Sequence, residues 1–196
     1  VIVKGAGDPT LSAQPTRAQT FYTDPGRISD LAEQIRKSGV TVTSVAVDTS
    51  AFSGPTMDSS WSRADIAGGD IAPIESLMTD GARIDALNEY SPRVDDPAIT
   101  AGEQLAKALD VDAPVRSVTA PAGARTIASV RSAPLVTRVN DMLRYSDNVL
   151  AEALGIELSV ARGGPATLAG GTSAVTQTLA DNKFDVADVT LRDTSA

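Results

Sequence analysis

The sequence contains no cysteine and no histidine. The first absence excludes a disulfide framework, a thiolate nucleophile and a cysteine-ligated metal. The second removes every Ser-His-Asp triad and the commonest metal ligand. A hydrolase built on this chain must take its base from lysine, tyrosine or a carboxylate. Aromatic residues are only 4% of the chain, so the core must rest on Val, Leu, Ile and Ala. Positive charge is also scarce: 17 basic residues, scattered singly, face 25 acidic ones for a net charge of -8. That balance argues against a nucleic-acid partner, because phosphate binding needs a cationic face. No apolar run approaches the ~20 residues that cross a bilayer. No transmembrane segment is therefore expected in this chain.

What is present suits a soluble globular protein of one or two modest domains: 196 residues, 42% hydrophobic and 21% charged. The chain opens on VIVKGAG, which reads as a strand entered midway, and closes at Thr194-Ser195-Ala196 without a terminal element. A chain trimmed at both ends is expected, so the missing signal peptide says nothing about secretion.

The β-branched run Val1 to Lys4 predicts a strand, and Gly5 to Pro9 a turn. Ile28, Leu31 and Ile35 predict an amphipathic helix over Ser29 to Ser38, stopped by Gly39. Alternating Val42, Val45 and Val47 predict a half-buried strand over Val40 to Asp48, and strand, helix, strand implies a small α/β layer. From Ser50 to Ser91 periodicity is lost in a loop-rich excursion that holds the only tryptophan, Trp61. Loops of this length are usually functional or disordered. Helices are predicted again over Asp96 to Leu109, Pro134 to Arg144, Asp147 to Ala161 and Thr172 to Asp181. Short strands are predicted over Val115 to Thr119 and Val189 to Asp193. Pro121-Ala122-Gly123 is the best candidate domain boundary.

Two motifs invite chemistry. GAGDPT follows a strand as a dinucleotide loop would, but its third glycine would fall at Thr10. Asp8 would also oppose a pyrophosphate, and Pro9 removes a backbone donor. A tight turn capped by Asp8 is the better reading. In YSDNVLAEAL, Ser146-Asp147-Asn148 are all good N-cap residues, yet one helix needs only one cap. The helix that follows is apolar nearly all round, which predicts burial. Three polar residues at the mouth of a buried helix must be paired or must line a cleft.

Ser-Asp-Asn is the second of three motifs, SxxK, SDN and KTG, found in penicillin-binding proteins and serine β-lactamases. Around it, in order, lie GAGDPTL (Gly5 to Leu11), VAVDTSAFSG (Val45 to Gly54), SAPLVTRVNDMLRYSDNVLAEAL (Ser132 to Leu154) and LRDTSA (Leu191 to Ala196). Together these resemble the DacB-like, class C low-molecular-mass D-alanyl-D-alanine carboxypeptidases of the peptidase S13 family. The resemblance spans nearly the whole chain. It departs from the family in two places: no serine is followed three residues later by lysine, and there is no Lys-Thr-Gly. Both motifs flank such a stretch in the family, so this chain looks like the middle of an enzyme, unable to form an acyl-enzyme alone.

The resemblance implies an α/β (α+β) fold: part of a penicillin-binding-protein-like transpeptidase domain with an inserted α/β domain. Residues 1–120 would belong to the insertion and residues 121–196 to the catalytic domain. It implies a serine-type peptidase acting on peptidoglycan stem peptides outside the cytoplasm, inhibited by β-lactams, with no cofactor and no metal. Ser146 would be the proton relay and Asn148 the amide that holds substrate and the nucleophile's lysine. Asp147 would brace the loop through backbone amides, and Tyr145 would line the cleft. Asp65 and Asp70 would help to grip a cationic stem-peptide side chain, or would be ordinary solvated loop acids. The alternatives are a non-catalytic peptidoglycan-binding or scaffold protein on the same fold, and an unrelated α/β binding module.

Overall fold

The computed structural model describes residues 1–195. Three short strands form a parallel sheet in the order β1 (Ile2–Lys4), β2 (Ala46–Asp48), β3 (Arg116–Ser117). The register sets Val3 opposite Val47 and Val47 opposite Ser117. Parallel neighbours need crossovers, and helices α1 (Ile28–Lys37) and α3 (Pro97–Ala108) provide them. Ile28, Leu31 and Ile35 of α1 bury against Leu105 and Ala106 of α3 and Val45, which makes one apolar cluster. Val47, Leu77, Ala98 and Ala101 make a second. At Gly102 an added Cβ would come within 2.6 Å of Val47 Cγ1, so glycine lets α3 lie close against the sheet. Asp48 ties off the end of β2 by accepting hydrogen bonds from the Ser50 and Ala120 amides.

The strands are shorter than the valine alternation predicts. Residues 40–44 run alongside no other strand, and Val40 is exposed, so apolar spacing alone did not build a ladder there. Val189 to Asp193 forms no strand either. It runs as turn and coil, with Val189 exposed.

The second half is helical: α4 (Leu135–Tyr145), α5 (Asn148–Ala161) and α6 (Leu168–Asp181). Helix α6 starts four residues earlier than its apolar spacing suggests, with Thr167 as N-cap accepting from the Gly170 amide. The four added residues include Gly170 and Gly171. Here they permit close helix packing, since a Cβ on Gly171 would lie 3.0 Å from the carbonyl carbon of Gly155 in α5.

The excursion between residues 50 and 91 is neither disordered nor peripheral. It contains the short helix α2 (Ala64–Gly68) and a buried run from Ile71 to Arg83 broken only at half-buried Glu75. Ile71, Ala72, Ile74, Met78 and Ala82 form one cluster with Val149 and Ile156 of α5 and Leu168 of α6, and Trp61 packs against it. This core joins residues on both sides of position 120. Among the described residues no helix is long and apolar enough to cross a membrane.

Candidate active site

Helix α4 ends where Ser146 takes the left-handed conformation (φ 49°, ψ 45°), and its amide bonds to Met142 O. A left-handed residue is a common helix stop, but glycine or asparagine usually supplies it. Asp147 then returns to extended backbone and caps α5, accepting from the Leu150 amide at 3.0 Å. Of the three polar residues, the cap is thus Asp147. Ser146 is left exposed, and no hydrogen bond holds its hydroxyl among the described residues. Asn148 is half-buried and donates from Nδ2 to the carbonyl of Asp70 at 3.1 Å. The excursion therefore reaches the triplet through Asp70.

The Asp147 side chain does more than brace its loop. It is buried, and its Oδ2 accepts from Arg83 Nη2 at 2.8 Å and from Tyr22 Oη at 2.7 Å. Arg83 Nη1 also donates to Tyr22 Oη at 2.8 Å. Burial alone would raise the Asp147 pKa, but the Arg83 and Arg93 guanidiniums outweigh it and hold the carboxyl below the usual range. Burial raises the Tyr22 phenol well above its ordinary value, so it remains a donor. Nothing in the periodicity points to Tyr22, Arg83 or Arg93. The only sequence signal is that Phe21 and Tyr22 stand together in an aromatic-poor chain.

Arg83 emerges from an unusual turn. Asp80, Gly81 and Ala82 all have positive φ (50°, 63° and 63°). The turn is over-determined: the Asp80 and Gly81 amides donate to Leu11 O and Pro9 O, and Arg93 Nη1 donates to Gly81 O. A Cβ at Gly81 would lie 2.3 Å from Tyr22 Oη, so only glycine fits there.

The remaining expected site residues are more dispersed. The half-buried Tyr145 ring packs against Phe21 with centroids 4.5 Å apart and planes tilted by 43°. Asp65 sits in α2, where its Oδ2 accepts from the Ser62 amide at 3.1 Å, while the Ser62 hydroxyl accepts from the Ala64 amide. Asp70 is exposed and meets the triplet through its backbone. Asp8 caps its own turn, accepting from the Thr10 amide and hydroxyl, as the sequence predicts. At the far end, Trp61 Nε1 donates to Asp193 at 2.8 Å, and the Thr194 amide donates to buried Glu152 at 2.7 Å. The Leu191 to Ala196 motif is thereby fastened to the excursion and to α5, although Ala196 lies outside the described residues.

Comparison with known proteins shows the family and the fold. The model of the D-Ala-D-Ala carboxypeptidase 3 (S13) family matches residues 1–89 and 85–196. Carboxypeptidase Rv3627c of Mycobacterium tuberculosis is 52% identical over the whole chain, which covers 42% of that protein. Carboxypeptidase DacB of Mycolicibacterium smegmatis is 46% identical, again over the whole chain and 43% of the relative. The chain thus spans less than half the length of these curated relatives. The crystal structure of penicillin binding protein 4 (dacB) from Haemophilus influenzae superposes with a TM-score of 0.72 at 18% identity, covering 99% of this chain and 56% of that one. That likeness concerns the fold, a mixed α/β architecture. With its model matched from the first residue to the last, the chain belongs to the D-Ala-D-Ala carboxypeptidase 3 (S13) family.

Proposed function

We propose that the complete protein is a penicillin-binding, serine-type D-Ala-D-Ala carboxypeptidase or endopeptidase acting on peptidoglycan stem peptides outside the cytoplasm. This chain supplies one wall of its cleft. The observation that carries the reading is the α4–α5 junction: an exposed Ser146 in a left-handed turn, between a Tyr145 packed against Phe21 and a buried Asp147, in a chain of this family.

In this reading a serine outside the chain attacks the penultimate carbonyl. A carbon–oxygen bond forms, the carbon–nitrogen bond to D-alanine breaks, and water later hydrolyses the acyl-enzyme. Without histidine, the base is the lysine of an SxxK pair, also outside this chain. Ser146 has a hydroxyl that both accepts and donates, and passes the proton to the departing D-alanine nitrogen. Asn148 holds substrate with its amide, itself steadied on the Asp70 carbonyl. Tyr145 lines the cleft. Asp65 and Asp70 grip a cationic stem-peptide side chain, a role supported by the excursion's contact with Asn148. Residues 1–120 belong to an inserted domain and 121–196 to the transpeptidase-like domain, with the excursion packed onto the latter's helices. No nucleic acid is a partner.

Labelling with a fluorescent penicillin tests this. The complete protein should gain one covalent adduct by intact mass, and the 196-residue chain none. An unreactive complete protein would favour a scaffold on the same fold. An adduct on the short chain would overturn the placement of the nucleophile.

A further inference from the structure

Three consecutive residues near the N-terminus grip three successive points of the α4–α5 junction. Thr23 donates from its amide and hydroxyl to the two Asp141 oxygens at 2.8 and 2.9 Å. Phe21 packs against Tyr145 with the rings tilted by 43°, and Tyr22 donates to Asp147 at 2.7 Å. Arg83 closes the arrangement. Its guanidinium lies 3.8 Å from the centre of the Phe21 ring and bonds both Tyr22 and Asp147. Asp141, Tyr145 and Asp147 are thus each held, and Ser146, between the last two, is the one residue of the turn whose side chain is held by nothing described.

We propose that Phe21, Tyr22, Thr23 and Arg83 are positioning residues that clamp both flanks of Ser146 and so fix the left-handed turn on which its hydroxyl is presented. The proposal rests on the reading of Ser146 as a proton relay. The physical reason lies in the backbone. A serine has no intrinsic preference for positive φ, and such a conformation persists when its surroundings over-determine it. Ser146 cannot supply that restraint itself. A packed aromatic pair on one side and a buried ion pair on the other leave the peptide units between them little room to rotate. The clamp comes from two chain segments distant from the junction in sequence, 125 residues away for Tyr22 and 64 for Arg83 as counted to Asp147.

The test is kcat and KM on a D-Ala-D-Ala peptide, with thermal melts, using the complete protein. Tyr22→Phe deletes one oxygen and Phe21→Leu keeps an apolar side chain, so both variants should fold. Each should lower kcat about 10- to 100-fold, the scale of a misplaced catalytic group, with KM little changed. In a Ser146→Ala background neither should lower kcat further, because the group they position is gone. Wild-type kcat with a lowered melting temperature would overturn the proposal, as would losses that multiply with that of Ser146→Ala. Should Tyr22→Phe melt below the assay temperature, Phe21→Leu decides alone. Normal turnover by Ser146→Ala itself is a different result: it removes the relay reading, and the clamp's purpose with it.

Discussion

Arg83 and Asp147 form an ion pair shut away from water, with Nη2 and Oδ2 2.8 Å apart and side chains 1% and 0% exposed. Two ions buried together recover little net stability over an apolar pair, but one buried without the other is expensive. Geometry decides which case applies. Here Asp147 accepts from Arg83, Tyr22 and the Leu150 amide, so its charge is well satisfied.

Removing one partner should therefore cost more than removing both. Arg83→Met is expected to destabilise by about 3–5 kcal/mol, leaving an unpaired carboxylate. Adding Asp147→Asn to it should restore part of that loss, because the amide still caps α5 and carries no charge. Denaturant melts of the two single variants and the double variant measure the coupling. Simple addition of the two losses would show that the pair does not act as a unit. The pair also sets a pH dependence. The folded pKa of Asp147 lies below its unfolded value, so its contribution is complete above the unfolded pKa. It fades as pH falls through the folded one. Acid melts of wild type should lose stability in that window, and Asp147→Asn should lose less.

Much of this architecture was readable in the sequence, and the limits have a physical cause. Helices α1, α3, α4 and α5 follow their apolar period within a residue or two, because helical bonds and their side-chain pattern are local. The strands shrank because a ladder needs a partner strand, and residues 40–43 lie beside none among the described residues. Helix α6 begins at Leu168 rather than Thr172, and its first turn, with Gly170 and Gly171, packs close against α5, a contact that no local period announces. At the candidate site, the helix that follows the polar triplet and its burial were legible. Tyr22 and Arg83 were not, since they lie 125 and 64 residues from the carboxylate they bind. Contacts over such separations leave no period to read.

Glu152 offers a titration of the opposite sign. It is buried in α5, burial raises its carboxyl pKa, and the Thr194 amide donates to it. A folded pKa above the unfolded value gives stability that is complete below the unfolded pKa and lost as pH rises through the folded one. Glu152→Gln keeps an acceptor for Thr194 and removes the charge. The variant should match or exceed the wild-type melting temperature at neutral pH and show a flatter profile above the carboxylate range. A lower melting temperature at every pH would mean that the charged form is the one the fold prefers.

The excursion makes a selective prediction. If Asp65 helps to hold a cationic stem-peptide side chain, Asp65→Asn should raise KM for diaminopimelate stems and spare simple D-Ala-D-Ala peptides. An exposed pair is worth ~0.2–1 kcal/mol and a partly desolvated one more, so the rise should be several-fold. Asp65 also caps α2 through the Ser62 amide, and asparagine preserves that bond. Equal losses on both substrates would assign Asp65 to the cap alone.

Ser146 separates chemistry from capping in a single position. It ends α4 in the left-handed region, where glycine is the favoured residue. Ser146→Gly should therefore leave the protein equally stable or raise stability by a few tenths to about 1 kcal/mol, relieving the strain of a side chain at positive φ. If the hydroxyl relays a proton, the same change should lower turnover by about 10²–10⁴, the usual worth of positioned acid–base help. Ser146→Ala should match that kinetic loss without the gain in stability, because alanine has a Cβ and no hydroxyl. Asn148→Ala should weaken substrate hold as well as acylation, since it removes an oriented amide and its tie to Asp70. The measurements are kcat and KM on a D-Ala-D-Ala peptide beside thermal melts of the complete protein. A glycine variant that melts higher and turns over normally would make Ser146 a helix stop and nothing more.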